Sequence, residues 1–386
     1  MNPQKYINAN KVILFPKEDN FMKKFIAIIM TCIFFVMTVT GCGSKDKPKD
    51  ITVSVDNQKL TDVKTKLDKE FTDYFGSETF SGYVYISKKG TVLLDKGYGK
   101  ADFDKGTPNT KQTKFDIASL TKQITALAIM QLEEKKLLDA NDKIDKYLPS
   151  FPHGNEITIH QLLSHTSGLP QHSTEFDIKK FNPSNENFGI EGKNENVKLT
   201  FAPGTSFQYS NAGYILLGYI IEKVSTKTLD VYFSENIFKP LDMKNTGFKN
   251  KNGQLDNLAI GYQTENKEIA EKSWSFLNVG PVVGSASLCS TVEDLIKWEK
   301  ALTEQKLIGK ESYDKIYTPN KNSYGYGWYI RKDSQGRSSY EHYGNASVYR
   351  SYIFRSVDED LVVIVESNFQ NVPLEDMVSL LKDYIK

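Results

Sequence analysis

Residues 114–123 read Lys114-Phe115-Asp116-Ile117-Ala118-Ser119-Leu120-Thr121-Lys122-Gln123, and an apolar run continues to Leu132. The first three residues look strand-like, and Ile117–Leu132 is apolar nearly all round, which predicts a buried helix entered from a strand. Ser119 and Lys122 stand three apart near its start, on one helical face and within contact range. A serine hydroxyl becomes a useful nucleophile when a neighbouring base takes its proton. A buried lysine with a lowered pKa is such a base. The helix N-terminus favours developing negative charge, and the Ser119 N–H is one natural donor to an oxyanion. Spacing alone is weak, because Ser44/Lys47, Ser312/Lys315 and Ser379/Lys382 repeat it. Only the Ser119 copy opens an apolar helix behind a strand.

Outward from this helix, the two ends of the chain mirror each other. Ser81–Ser87 and Thr91–Asp95 are β-rich runs joined at Lys88-Lys89-Gly90, a hairpin signal. Tyr349–Arg355 and Leu361–Val365 are strands around Asp358-Glu359-Asp360. Leu60, Val63, Leu67, Phe71 and Phe75 share one helical face, with Thr61 as a candidate cap; Leu374, Met377, Leu381, Tyr384 and Ile385 share another. Tyr214–Val224 and Leu229–Phe238 read as short helices, and Ser290-Thr291-Val292-Glu293 as a capping-box start for a helix through Leu302. Residues 171–200 show no clear period, and a loop that long is usually functional or mobile. The economical fold is α+β: an antiparallel sheet built from both chain ends and flanked by helices, with a mostly helical lobe over residues 120–285 inserted between them.

Two further elements carry chemistry. Tyr209-Ser210-Asn211 follows the turn-forming Pro203-Gly204-Thr205 and precedes an apolar helix, so it belongs on a loop edge. A tyrosine beside a lysine can exchange a proton with a serine or a leaving group, and an asparagine amide can hold a substrate carbonyl. The plainer alternative is a surface tyrosine and a helix-capping asparagine. His342-Tyr343-Gly344 precedes the strand at Tyr349, and a strand glycine often marks a close backbone approach by a ligand.

In this order the three elements resemble the serine β-lactamase and penicillin-binding-protein superfamily. The Tyr-Ser-Asn element is similar to its class C β-lactamase branch, which includes D,D-peptidases, D-aminopeptidases and esterases. Further similar stretches are Leu162-Leu163-Ser164-His165-Thr166-Ser167-Gly168-Leu169-Pro170, Gly284 to Trp298, and Tyr324-Gly325-Tyr326-Gly327-Trp328. The resemblance covers the span 60–386 and implies the sheet-plus-helical-lobe fold. By position it implies Ser119 as acylated nucleophile, Lys122 as its proton partner and Tyr209 as proton shuttle to the leaving group. Asn211 would bind the substrate amide or Lys122, and the Ser119 and Asn345 N–H groups would form the oxyanion hole. The better-known third motif is Lys-Thr-Gly, whose lysine helps attract a substrate carboxylate. Here His342 replaces it, with Gly344 following, so carboxylate attraction weakens unless Arg350 supplies it. No cofactor is implied.

Lys23 and Lys24 precede an apolar run from Phe25 to Val39, the pattern of a secretory signal peptide. It ends in Val39-Thr40-Gly41-Cys42, which resembles a bacterial lipobox; the resemblance implies cleavage after residue 41, lipid on Cys42 and a membrane-anchored, extracytoplasmic protein. Glu18 and Asp19 do not suit a signal peptide, and Met22 is the expected start. Residues 42–59, polar and charged, read as a tether to a hydrolase domain over 60–386.

The full 386 residues carry 49 Lys+Arg against 48 Asp+Glu, a balance of +1 that makes no electrostatic case for a nucleic-acid partner. Hydrophobic residues are 39% and charged residues 25%, an ordinary globular composition. The 3 cysteines cannot all pair; Cys32 lies in the signal, Cys42 takes the lipid, and Cys289 reads as a small buried residue. His160, His165 and His172 lack metal-site order, so no metal is expected, and His165 reads as packing a turn. Trp328 reads chiefly as a core residue. No G-x-S-x-G, P-loop or G-x-G-x-x-G occurs. The expected activity is acyl-serine hydrolysis of D-alanyl peptide or related amide and ester bonds in the envelope. The alternatives are a carboxylesterase on short acyl esters and a slow-turnover penicillin-binding or sensing module. The oligomeric state is not legible from the sequence.

Overall fold

The computed structural model describes residues 61, 64–69, 71–73, 80–149, 151–171, 197–249, 255–265, 268–273, 284–372, 374 and 377. The chain divides into two units, Met1–Ser54 with Glu375–Lys386, and Val55–Leu374. Of the first, only Met377 is described, a buried helical residue. The signal segment, Met22, Cys42, the tether, Leu60, Val63, Phe75, His172, most of the 171–200 loop, Leu381, Tyr384 and Ile385 lie outside the described residues. Among the described residues no helix is long and apolar enough to cross a membrane.

In the second unit the main sheet is antiparallel and comes from both ends of the sequence. Its strands are β1 (Gly82–Lys88), β2 (Thr91–Tyr98), β10 (Tyr329–Lys332), β11 (Ser338–Ala346), β12 (Tyr349–Ser356) and β13 (Leu361–Ser367), in the order β10-β11-β12-β13-β1-β2. The first and last strands of the chain therefore meet, with Gly82 opposite Ser367 and Lys88 opposite Leu361. The β1–β2 connection turns through Lys89 and Gly90, both at positive φ, the two-residue turn whose twist matches its strands. Smaller pieces are β3 (Lys100–Asp102) with β4 (Thr107–Pro108), β7 (Gly261–Glu265) with β8 (Glu268–Ser273), and a three-stranded sheet. That last sheet orders β5 (Lys114–Asp116), β9 (Leu288–Thr291) and β6 (Gly247–Phe248) as β5-β9-β6. The middle of the chain thus carries short strands as well as helices.

The helices are α1 (Thr121–Glu134), α2 (Ile159–Leu163), α3 (Asn211–Ser225), α4 (Leu229–Phe233), α5 (Val292–Thr303) and α6 (Lys310–Ile316). α1 buries every residue from Thr121 to Leu132. At about 1.5–3 kcal/mol for each large apolar side chain, Ile124, Leu127, Ile129 and Leu132 alone anchor it. It packs against α3 and α6, and α2 packs against α3. α5 lies on β13 and β1, with Trp298 buried. Two boundaries differ from the sequence reading. Ile117 stands outside the helix at φ −83°, ψ 1°, and a 3₁₀ turn, Ala118–Leu120, comes before α1. α5 is capped by Thr291, whose hydroxyl accepts from Asp294 N–H at 3.2 Å, while the Ser290 hydroxyl is engaged 2.7 Å from Thr246 Oγ1. His342–Gly344 precedes the strand at Tyr349 as expected, and itself lies inside β11.

Candidate active site

Three segments far apart in sequence meet at Lys122. The 3₁₀ turn just ahead of its helix brings Ser119, whose Oγ lies 3.0 Å from Nζ. The start of α3 brings Asn211, whose Oδ1 accepts from Nζ at 2.8 Å. The loop before β9 brings the Ser285 carbonyl at 2.7 Å. Tyr209 and Tyr214 turn ring faces toward the amine at 4.9 and 5.6 Å. Lys122 is fully buried, and burial holds its pKa well below the ordinary lysine range. All three hydrogen-bonding partners are neutral oxygens, so no carboxylate there restores the charge. The set suits a neutral amine: its two N–H bonds serve Asn211 Oδ1 and Ser285 O, and its lone pair faces the Ser119 hydroxyl.

Local structure explains this convergence. Thr125 Oγ1 donates to Gly284 O at 2.7 Å, fixing the segment that supplies Ser285 O. Gly327 lies against α1; a Cβ there would sit 2.9 Å from the Lys122 carbonyl, which bars any larger residue. Ser210 caps α3 by accepting from Gly213 N–H at 3.2 Å, and its hydroxyl donates to Pro170 O at 2.8 Å. The capping residue is therefore Ser210, which leaves the Asn211 amide for Lys122.

The Tyr209 side chain is buried, and burial pushes its pKa far above the usual tyrosine value. It is a proton donor, not a phenolate. Its loop is clamped by His165. The His165 carbonyl accepts from Gln208 N–H at 3.0 Å, Nδ1 accepts from Ser210 N–H at 3.1 Å, and the ring lies 4.3 Å from that of Tyr209. Burial holds His165 neutral. The sequence reading had it packing a turn; the structure shows that the turn carries Tyr209.

On the other side, β11 runs beside the nucleophile turn. Pairing with β10 ends at Glu341, so the 342–346 edge has no strand partner there among the described residues. Asn345 on this stretch is exposed and sits opposite Arg350 of β12. None of the turn's backbone hydrogen bonds uses the Ser119 N–H. The Arg350 Nη1 donates to Ser347 O at 2.9 Å and Tyr349 O at 2.8 Å, tying it to its own hairpin.

Two third-motif residues take roles other than those expected. His342 is 1% exposed, so it is a strut behind the strand and not a cleft-surface group. Its Nδ1 donates to Tyr343 O at 2.8 Å, so Nε2 accepts from Tyr324 O–H at 3.1 Å. Burial, reinforced by nearby Lys122, lowers its pKa to about 3. Gly344 is approached by the protein's own nucleophile turn. A Cβ there would lie 2.5 Å from Ile117 O and 3.2 Å from Ala118 Cβ. Ser351 on β12 closes the contact, its hydroxyl donating to Ile117 O at 2.9 Å. His160 is spent on structure, with Nδ1 2.6 Å from Tyr326 Oη and Nε2 accepting from Asn320 at 2.9 Å. Trp328 and Cys289 are buried core residues.

A family model described as Beta-lactamase matches residues 67–379. The putative penicillin-binding protein PbpX of Bacillus subtilis (strain 168) is 28% identical over 358 residues, covering 89% of this chain and 88% of that one. Penicillin-binding protein 4* of the same organism is 30% identical over 310 residues, covering 75% and 68%. The crystal structure of a penicillin binding protein from Bacillus halodurans matches with a TM-score of 0.69 at 26% identity, covering 81% of this chain and 99% of that one.

Proposed function

The chain belongs to the β-lactamase family and is a serine hydrolase, and from that premise we propose that it works through an acyl-Ser119 intermediate on acyl-D-alanyl peptides or related D-amino-acid amides and esters. The observation that carries this reading is the buried Lys122 amine, held only by neutral oxygens with the Ser119 Oγ 3.0 Å away. Lys122 takes the Ser119 proton as Oγ attacks the substrate carbonyl. The Ser119 and Asn345 N–H groups receive the oxyanion. Tyr209, kept protonated by burial, gives a proton to the leaving amine or alcohol and is reprotonated from Lys122. Asn211 orients Lys122. Water then attacks the acyl-enzyme by the reverse proton path. In the cell, lipid on Cys42 would hold the enzyme at the outer face of the membrane, where envelope peptides are its substrates.

A second reading, hydrolysis of short carboxylic esters, is favoured by one observation: the third motif supplies no cation, since His342 is buried and neutral. Rates with p-nitrophenyl butyrate, nitrocefin and a D-Ala-D-Ala peptide separate the two, with intact mass after labelled penicillin or a fluorophosphonate reporting the adduct. Release of D-alanine that Ser119→Ala abolishes supports the first reading. Turnover of the butyrate ester alone supports the second, and a penicillin adduct stable for hours supports a slow-turnover binding module. Activity undiminished in Ser119→Ala would sink the acyl-serine mechanism.

A further inference from the structure

Behind the nucleophile turn lies a second buried lysine, in a different environment from Lys122. Lys249 follows β6 directly, and its Nζ lies 2.5 Å from Asp116 Oδ2, with side chains 1% and 0% exposed. The three-stranded sheet brings them together: Asp116 and Gly247 both pair with Cys289, from opposite sides of β9. The other oxygen, Asp116 Oδ1, accepts from the Ala118 N–H at 2.9 Å. Ala118 immediately precedes Ser119 and has φ +48°, a left-handed conformation that side chains with a Cβ rarely adopt. Ile117 N–H goes to Leu288 O at 2.9 Å, and Ser351 holds Ile117 O. The Asp116 carboxylate is therefore the side-chain grip on the residue that sets the direction of Ser119.

We propose that Asp116 is a positioning residue for the nucleophile, and that Lys249 is the counter-ion that lets an ionised carboxylate stand there. This rests on the acyl-Ser119 reading above. The neighbouring charges are consistent with it. Glu366, also fully buried, has its carboxyl pushed well above the usual range by burial and by Asp116, so it stays neutral. Lys249 then balances Asp116 alone, its ammonium lying 5.9 Å over the Tyr349 ring. A neutral side chain with an acceptor oxygen at position 116 should hold Ala118 as well as the carboxylate does. A side chain with no acceptor should let the turn relax away from its left-handed geometry.

The test compares two full-length double variants, each without net buried charge: Asp116→Asn/Lys249→Met, which keeps the acceptor, and Asp116→Ala/Lys249→Met, which loses it. The readouts are the single-turnover acylation rate constant with a fluorophosphonate, taken on the folded fraction, and the thermal midpoint. The asparagine pair should acylate within about 3-fold of the parent, and the alanine pair ~30–100-fold more slowly, the scale of a reacting atom misplaced by up to 1 Å. Equal acylation rates in the two pairs would overturn the assignment. If the alanine pair does not fold, Lys249→Met alone decides. It removes the counter-ion but keeps the Asp116 acceptor, so the midpoint should fall while the acylation rate constant stays within about 3-fold. A 10-fold loss of that rate constant in the folded fraction would overturn the proposal. Because the penicillin-adduct experiment reads Ser119 in the parent enzyme, failure of the mechanism and failure of this positioning role are distinguishable.

Discussion

Replacing Gly344 with alanine tests how closely β11 must approach the nucleophile. The added Cβ would sit 1.8 Å from Ser351 Oγ and 2.5 Å from Ile117 O. The serine can rotate, at the cost of its bond to Ile117 O, but the carbonyl is backbone. Ordinary contact begins at 3.4 Å, so strand and turn must part by roughly 0.9 Å. Asn345 is the next residue on that strand, and Ser119 lies two beyond Ile117, so the parting falls between the two proposed oxyanion donors. Misplacement of about 1 Å costs ~10²-fold in rate, while overpacking costs about 1–3 kcal/mol of stability. Acylation by a fluorophosphonate should therefore slow ~10²-fold, with a thermal midpoint only several degrees lower. Adding Ser351→Ala removes the shorter clash but not the longer one, so it should recover stability more than rate. A folded Gly344→Ala enzyme that acylates within about 3-fold of the parent would refute the reasoning.

Lys122→Ala should slow acylation by ~10² or more, the scale of losing a positioned base, and near-normal acylation would remove Lys122 from the mechanism. In the parent enzyme kcat/KM should rise with pH as Lys122 loses its proton; because its pKa is lowered, that rise should end below the ordinary lysine range, and a limb centred at 10 or above would contradict it. His342 is lowered from 6.5 to about 3 in the fold, so the unfolded chain binds the extra proton first. Its contribution to stability is complete above pH 6.5 and declines as pH falls toward 3, by up to about 1.4 kcal/mol per pH unit. Chemical denaturation of a His342→Gln variant should show a flatter acid limb. His342→Lys should destabilise the protein without favouring carboxylate-bearing substrates over neutral esters; a 10-fold shift toward carboxylates would mean that position 342 reaches the substrate. His165→Ala, which releases Ser210 N–H and the Tyr209 ring, should lower kcat roughly 10-fold with KM little changed, and an unaltered kcat would show that the clamp is dispensable.

Most of the framework was legible because its signals are local. The hairpin at Lys89-Gly90, the strands around Asp358-Glu359-Asp360 and the helix behind Ser119 follow from period and turn chemistry over a few residues. The Ser119–Lys122 spacing and the placing of Tyr209-Ser210-Asn211 at a helix start were likewise visible. What was missed depends on distant partners. Thr291 and not Ser290 caps its helix, and the Ser290 hydroxyl instead meets Thr246 Oγ1 at 2.7 Å, from a distant stretch of the chain. The Ser285 carbonyl is a backbone group, and backbone groups carry no sequence signature. His342 looked like a substrate contact, yet Tyr324 and Tyr343 O occupy both ring nitrogens. The Asp116–Lys249 pair joins residues 133 apart in sequence, which only the fold brings together.

The pairing of Gly82 with Ser367 also bears on when activity can arise. Contacts so distant give the main sheet a high contact order, and such sheets form slowly because the whole intervening chain must first be gathered. β11, which seats against the nucleophile turn, lies in the same late-closing sheet. A nascent chain still lacking its last strands would hold Ser119 and Lys122 on a local helix but have no β11 edge seated beside them. Acylating power would thus arise only with the complete fold, and the chain would remain chemically quiet throughout its synthesis.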